Sequence, residues 1–332
     1  MAFIKAISYY LPERVVTNEE LVKEFPEWSV DKVAAKVGVE SRHLAGEAET
    51  AGDMAEKAAQ KLFEEYNINP SEIDFIILCT QSPDYFLPST SCVLQNKLGL
   101  KTNIGAFDFN LGCSGYIYGL AVSKGLIAAG IAKNVLLLTS ETYTKYLHPL
   151  DKGNQTIFGD AATATLVSTN GWGEIGEFVL GTDGAGANDL IIKSGATRHP
   201  HLYNDLYIDE GGNPISSDHL YMNGGEIFTF TIEKVPALIH GTLSKNQLVQ
   251  TDISLYILHQ ANKYILDFLR KKMSIPTERY YLNMEKVGNT VSSTIPIALC
   301  DSMENVSNSN NILLAGFGVG LSWGATIIKC VK

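Results

Sequence analysis

Cys113 lies in Phe109-Asn110-Leu111-Gly112-Cys113-Ser114-Gly115, between glycines and ahead of an apolar, proline-free run from Tyr116 to Ala129. The run reads as a buried helix, and Asn103 to Asp108 before it as a short buried strand. A thiol at a helix N-terminus faces unpaired backbone N–H groups and the positive end of the helix dipole. Both favour the thiolate, which is the nucleophile. The flanking glycines admit close approach of a substrate or another backbone. A lone cysteine is also a common small apolar filler of cores, and this segment alone leaves both readings open.

Three further places hold groups suited to the same chemistry. His259 follows the apolar Leu255 to Leu258 and opens His259-Gln260-Ala261-Asn262, where a strand end can face a cleft. Asn289 sits in Val287-Gly288-Asn289-Thr290-Val291-Ser292-Ser293; its carboxamide serves either as a helix cap or as a donor to a ligand. Gly316-Phe317-Gly318-Val319-Gly320 follows the strand-like Ile312 to Ala315. Alternate glycines there make a tight turn or aim backbone N–H groups at a ligand. No helix follows this turn, which excludes a dinucleotide fingerprint and a nicotinamide site.

The elements that must position these groups follow a βαβ rhythm. Phe3 to Tyr9 reads as a strand, Thr17-Asn18-Glu19-Glu20 as a capping box, and Thr50-Ala51-Gly52-Asp53 as the start of a helix ending near Tyr66. Further strands are expected at Phe75 to Cys79, Asn134 to Leu138 and Ala162 to Val167. The second half echoes the first. Ser71-Glu72-Ile73-Asp74-Phe75-Ile76-Ile77-Leu78-Cys79 is matched by Thr251-Asp252-Ile253-Ser254-Leu255-Tyr256-Ile257-Leu258-His259, and Asn134-Val135-Leu136-Leu137 by Asn311-Ile312-Leu313-Leu314. The two offsets are nearly equal, at about 180 residues, so a duplicated core is expected, with halves at 1–170 and 171–332. Residues 197–218 are polar and read as an irregular loop.

Composition bounds the class. The 332 residues are 45% hydrophobic and only 19% charged, which suits a well-buried α/β enzyme. A formal net charge of −10 argues against non-specific nucleic-acid binding. Neither a signal-peptide pattern nor an apolar run of the ~18 residues needed for a membrane helix is present. The five cysteines lack paired spacing, so reduced thiols, a cytoplasmic location and no zinc site are expected.

The motifs together resemble the β-ketoacyl-acyl-carrier-protein synthase III family of thiolase-fold condensing enzymes. The resemblance runs the length of the chain through Gly112-Cys113-Ser114-Gly115, Phe158-Gly159-Asp160-Ala161-Ala162, His259-Gln260-Ala261-Asn262, Gly288-Asn289-Thr290, and Gly316-Phe317-Gly318-Val319-Gly320 with Ser322-Trp323-Gly324. It implies an α/β, five-layered αβαβα fold from two duplicated halves, usually as a homodimer. It implies catalysis by Cys113, His259 and Asn289, an oxyanion hole from the backbone N–H groups of Cys113 and Val319, and Phe317 between the acyl and malonyl groups. The implied reaction acylates Cys113 from acyl-coenzyme A or an acyl-carrier protein, then condenses that acyl group with malonyl-acyl-carrier protein as carbon dioxide leaves. It needs no metal or bound organic cofactor.

The resemblance also implies that Asp84 to Ser89 crosses a dimer interface to line the partner's acyl pocket. Leu87 stands there where an aromatic residue is frequent, and either shapes acyl specificity or only packs the dimer. The coenzyme A contacts depart further from the family pattern. Lys32 and Lys152 stand where a tryptophan and an arginine grip adenine, Lys36 replaces a second arginine, and Gly225 replaces an asparagine on the pantetheine arm. Asn262 remains, and Trp28 is displaced by about one helical turn. Lysine supplies charge without planar stacking. These departures leave room for a carrier-protein donor or a specialised acyl group.

Competing functions use the same residues. The alternative expectation is that Cys113 passes its acyl group to an alcohol or amine without condensation. A cysteine protease would lack its local signature, and a non-catalytic subunit would not need all three polar groups. A synthase of hydroxymethylglutaryl-coenzyme A would need a glutamate in the first half, and Thr80-Gln81-Ser82 offers none.

Overall fold

The computed structural model describes residues 1–25, 29–303 and 310–331. Trp28 and the side chain of Lys32 lie outside the described residues.

Strand-forming runs of Val, Ile and Leu pair into one ten-stranded sheet that is best followed as two linked sets. In the first set, Gly105–Phe109, Phe75–Cys79 and Asn134–Glu141 are parallel neighbours. Asn134–Glu141 then pairs antiparallel with Ala161–Ser168, which pairs antiparallel with Phe3–Tyr10. The second set repeats the pattern. Ile253–Leu258 and Asn311–Gly318 are parallel, Ser322–Cys330 is antiparallel to Asn311–Gly318, and Val179–Thr182 is antiparallel to Ser322–Cys330. The short strand Gly173–Ile175 joins the sets by pairing with both Phe3–Tyr10 and Ser322–Cys330.

Three apolar clusters show how the sets stack. Side chains alternate across a strand, so one strand serves two cores. Ile76, Leu78, Leu136 and Leu138 face the helix Ala51–Glu65, whose Met54, Ala58 and Leu62 complete that core. Ile77, Val135 and Leu137 face the opposite way, onto Tyr116, Ile117 and Leu120 of the helix Gly115–Ala128 and onto Ile295, Ala298 and Leu299 of Thr294–Ser302. Ile257, Ile312 and Leu314 of the second set close the same core from the far side. Leu258, Leu313 and Ala315 turn outward to the helices Gly224–Lys245 and Lys263–Lys272. The result is helix, sheet, paired central helices, sheet, helix: the five layers expected. The central helices are apolar all round because each is sandwiched between sheets.

Several sequence expectations shift in detail. The strand before Cys113 is Gly105–Phe109, and its helix starts at Gly115. The helix expected from Thr50 is Ala51–Glu65, opened by a capping box of Thr50 and Asp53, whereas at Thr17 only the side-chain acceptance from the Glu20 N–H is present. Val179–Thr182 was not foreseen as a strand; it is short, and its sequence carries a glycine and little alternation. The strand of the second set corresponding to Gly105–Phe109 has shrunk to one parallel bridge between Tyr256 and Tyr280. The 197–218 region holds a two-residue ladder, Tyr207–Ile208 with Pro214–Ile215, within otherwise irregular backbone.

Candidate active site

Cys113 is buried at the end of the loop that follows Gly105–Phe109, two residues ahead of the central helix. The end of Asn311–Gly318 and the turn beyond it crowd against it. A Cβ on Gly318 would stand 2.8 Å from both Cβ and Sγ of Cys113, and one on Gly316 would stand 2.7 Å from the Cys113 carbonyl oxygen. Only glycine permits this approach. It brings the Val319 N–H onto the sulfur, beside the N–H of Cys113 itself. Ser322 fixes the turn: its hydroxyl lies 2.7 Å from Ser114 Oγ and donates to the Val319 carbonyl at 2.9 Å.

The sequence reading of an ionised resting thiol requires correction. Burial pushes the Cys113 thiol up to about 12, and the buried Glu141 pushes the same way. The Val319 and Cys113 N–H groups oppose the rise without overcoming it. Desolvation outweighs the helix end because the sulfur is buried and the first helical residue is Gly115, beyond the cysteine. Cys113 therefore rests as a thiol, with the Val319 and Cys113 N–H groups directed at its sulfur.

His259 ends the parallel strand Ile253–Leu258, with its N–H bonded to the Ala315 carbonyl at 2.8 Å. Its ring meets Phe317 edge-on, with centroids 5.8 Å apart, and its Nδ1 lies 2.8 Å from Thr294 Oγ1. Burial lowers its pKa to about 3, so the imidazole is neutral near pH 7. Asn289 is held through its backbone by the Phe158-Gly159 motif: its N–H donates to Ile157 and its carbonyl accepts from Gly159. Its side chain is not a helix cap. Oδ1 accepts the Val291 N–H at 2.9 Å, at the start of the single 3₁₀ turn Val291–Ser293, and the nearest α-helix begins at Thr294. Val291 shares one buried cluster with Cys113, against which Val319 packs, and the Asn289 Nδ2 reaches toward the Ala261 carbonyl at 3.4 Å. The chain of contacts thus joins Cys113, the 316–319 turn, His259 and Asn289, although they are far apart in sequence.

Residues expected to bind the cofactor-like substrate arm lie farther out. The helices that begin at Val30, Gly224 and Lys263 share one core through Val33, Val37, Phe230 and Ile265; residue 32 and Gly225 lie in the first turns of two of them, and Asn262 caps the third. Asn262 spends its Oδ1 on capping, accepting the Ile265 N–H at 2.9 Å. The Lys152 ammonium lies 5.8 Å from the Phe25 ring centroid. Leu87 is 82% exposed, beside Tyr85 at 61% and Phe86 at 84%.

Glu141 escaped the sequence reading. It ends Asn134–Glu141, is fully buried, and accepts from the Gln81 N–H, Ser82 Oγ and Ser292 Oγ. Burial raises its pKa to about 8. A lone charge after a run of apolar strand residues was the available signal. No cluster of His, Cys, Asp and Glu among the described residues could hold a metal ion.

Comparison with known proteins places this arrangement. A model of the 3-oxoacyl-[acyl-carrier-protein] synthase III family matches residues 107–184, and a model of that enzyme's C-terminal part matches 243–330. A β-ketoacyl-[acyl-carrier-protein] synthase III from Clostridium perfringens is 38% identical over 331 residues, covering 99% of both chains. The chain belongs to the β-ketoacyl-acyl-carrier-protein synthase III family. A relative of the same description from Fusobacterium nucleatum is 34% identical, covering 98% of each chain. A crystal structure of a 3-oxoacyl-(acyl-carrier-protein) synthase III superposes with a TM-score of 0.96 at 46% identity, covering 99% of both chains. The enzyme of that family from Pseudomonas aeruginosa gives 0.88 at 28% identity, covering 100% of this chain and 98% of its own. The five layers are therefore the thiolase-like fold, and the protein is a condensing acyltransferase that uses acyl thioesters. Transfer to an alcohol or amine without condensation is not favoured.

Proposed function

We propose that Cys113 takes an acyl group from acyl-coenzyme A or an acyl-carrier protein and that this group is condensed with malonyl-acyl-carrier protein to give a 3-oxoacyl-acyl-carrier protein. The observation that carries the assignment is the convergence of the Val319 and Cys113 N–H groups on a buried sulfur. As the sulfur attacks the thioester carbonyl, the oxyanion enters that pair of donors, each of which contributes about 3 kcal/mol on the scale of lost oxyanion-hole groups. The departing thiolate takes up the proton the thiol gives up, so no long-lived free Cys113 thiolate is needed.

In the second stage the malonyl carboxylate leaves as carbon dioxide and its bonding pair forms an enolate. Neutral His259 and the Asn289 amide donate to the enolate oxygen. The enolate carbon attacks the acyl carbonyl, and Cys113 leaves and regains a proton. Phe317, packed on His259, separates the two substrate groups. A carbonyl-stabilised carbanion formed this way requires no bound organic cofactor or metal.

The exposed Tyr85-Phe86-Leu87 run supports a homodimer in which Leu87 meets the partner's acyl pocket. Asn262, Gly225, Lys32 and Lys152 are assigned to the coenzyme A or pantetheine arm. The halves are divided at residue 170, which the repeated pairing order supports. No helix among the described residues is long and apolar enough to cross a membrane, and a cytoplasmic location is the reading we adopt. Intact-protein mass after incubation with mixed acyl thioesters tests the assignment. A single acyl adduct on the wild type, discharged by malonyl-acyl-carrier protein with a two-carbon extension, is expected; an adduct that persists overturns it.

A further inference from the structure

The turn 289–294 holds a strained residue between the two side chains assigned to the enolate. Val291 has φ 54°, in the left-handed region that a β-branched side chain seldom occupies. Such strain persists where surrounding contacts enforce it, and it clusters at functional sites. Here it turns the Val291 N–H onto Asn289 Oδ1 at 2.9 Å. That contact fixes which way the carboxamide points: its oxygen accepts from Val291, and its NH2, which gives one proton toward the Ala261 carbonyl at 3.4 Å, keeps a second to donate toward substrate. The Val291 carbonyl lies on the other side of the same turn, near the ring of His259.

Thr294 stands between that carbonyl and the imidazole. Its Oγ1 is 2.8 Å from His259 Nδ1 and 3.1 Å from the Val291 oxygen. The hydroxyl carries one proton and can serve one of these acceptors at a time. The ring nitrogen is both nearer and the better acceptor. Donation to Nδ1 leaves the ring proton on Nε2, whereas the bare carbonyl alone would draw it onto Nδ1.

We propose that Thr294 is a positioning residue whose hydroxyl donates to Nδ1 of His259 and thereby holds the Nε2–H tautomer that the enolate requires. The inference rests on the roles assigned to His259 and Asn289 above. It makes Thr294 matter for the second stage alone, because acylation of Cys113 uses the backbone donors and not the histidine N–H. Thr294 itself touches no substrate.

Thr294→Val keeps the shape of this buried side chain and removes the hydroxyl. The ring then faces only the Val291 carbonyl, and the tautomer changes to Nδ1–H. Decarboxylation of malonyl-acyl-carrier protein is expected to fall about 10²-fold, the scale of a misplaced catalytic group, with the rate of Cys113 acylation changed less than about threefold. Thr294→Ser restores the donor and returns decarboxylation to near the wild-type rate. Proton–nitrogen correlation spectra of histidine-labelled wild type, with the His259 signal assigned by its loss in His259→Gln, report the tautomer directly. A wild-type ring protonated at Nδ1 overturns the inference even if every variant misfolds. So does Thr294→Val with an unchanged ratio of decarboxylation to acylation. Wild type that acylates but never condenses would instead overturn the functional assignment, so the two failures are separable.

Discussion

The two halves share a frame and diverge at its strand ends. Asn134–Glu141 and Asn311–Gly318 occupy equivalent places, each parallel to one neighbour and antiparallel to the next. One ends in a buried carboxyl and the other in a glycine. The carboxyl of Glu141 gathers Gln81, Ser82 and Ser292 behind the nucleophile. The glycine lets backbone come within contact of the Cys113 sulfur. Likewise Cys79 closes Phe75–Cys79 at the place that His259 takes just after Ile253–Leu258. Two sets of strand ends thus approach one place, and the roles proposed above put the nucleophile with one set and the enolate donors with the other.

The largest effect should come from removing what only the first half has. Cys113→Ser should lower acylation by about 10⁴-fold or more, since the hydroxyl is the weaker nucleophile and has no adjacent base. Intact-mass kinetics check this, and retained turnover would dissolve the division of labour between the halves. Next is a change to the second half alone. Asn289→Asp should leave acylation within a fewfold of wild type and cut decarboxylation about 10²- to 10³-fold, because a carboxylate opposes the enolate and no longer donates. Carbon dioxide release against acyl-adduct formation distinguishes the two stages; a loss of acylation first would place Asn289 with the nucleophile instead.

The smallest effect concerns the buried carboxyl. Burial raises Glu141 from 4.5 to about 8, so the folded state holds a proton that the unfolded chain releases. Its stabilising contribution is thus present below pH 4.5 and is lost as pH rises through 8. Glu141→Gln should flatten the stability profile between about pH 5 and 8, measured by urea unfolding. Iodoacetamide should also label Cys113 faster in this variant than in wild type above pH 8, by about tenfold per unit of pKa lowered, while the two coincide at pH 6. Equal profiles would show that Glu141 is only a structural anchor.

Much of the layering was legible from residue order. Continuous apolar runs at 75–79, 134–138, 253–258 and 311–315 announced strands buried on both faces, and the apolar run after Cys113 announced a sandwiched helix. The bridge at Tyr280 was not legible because a single pairing leaves no periodic trace, and the strand Val179–Thr182 was not because four residues with a glycine are too short to show one. Thr294 was invisible for a similar reason: an ordinary hydroxyl acquires meaning only from burial and neighbours.

The order of residues by itself determined the nucleophile, its polar companions and the glycines that admit them, since these depend on side-chain type and local backbone freedom. Tertiary structure alone decided their electrical state. It stripped water from Cys113 and kept it a thiol, held His259 neutral, and turned the Asn289 amide by a neighbouring N–H. Charge stability depends on everything surrounding a group in three dimensions, and a linear string records only what lies beside it along the chain.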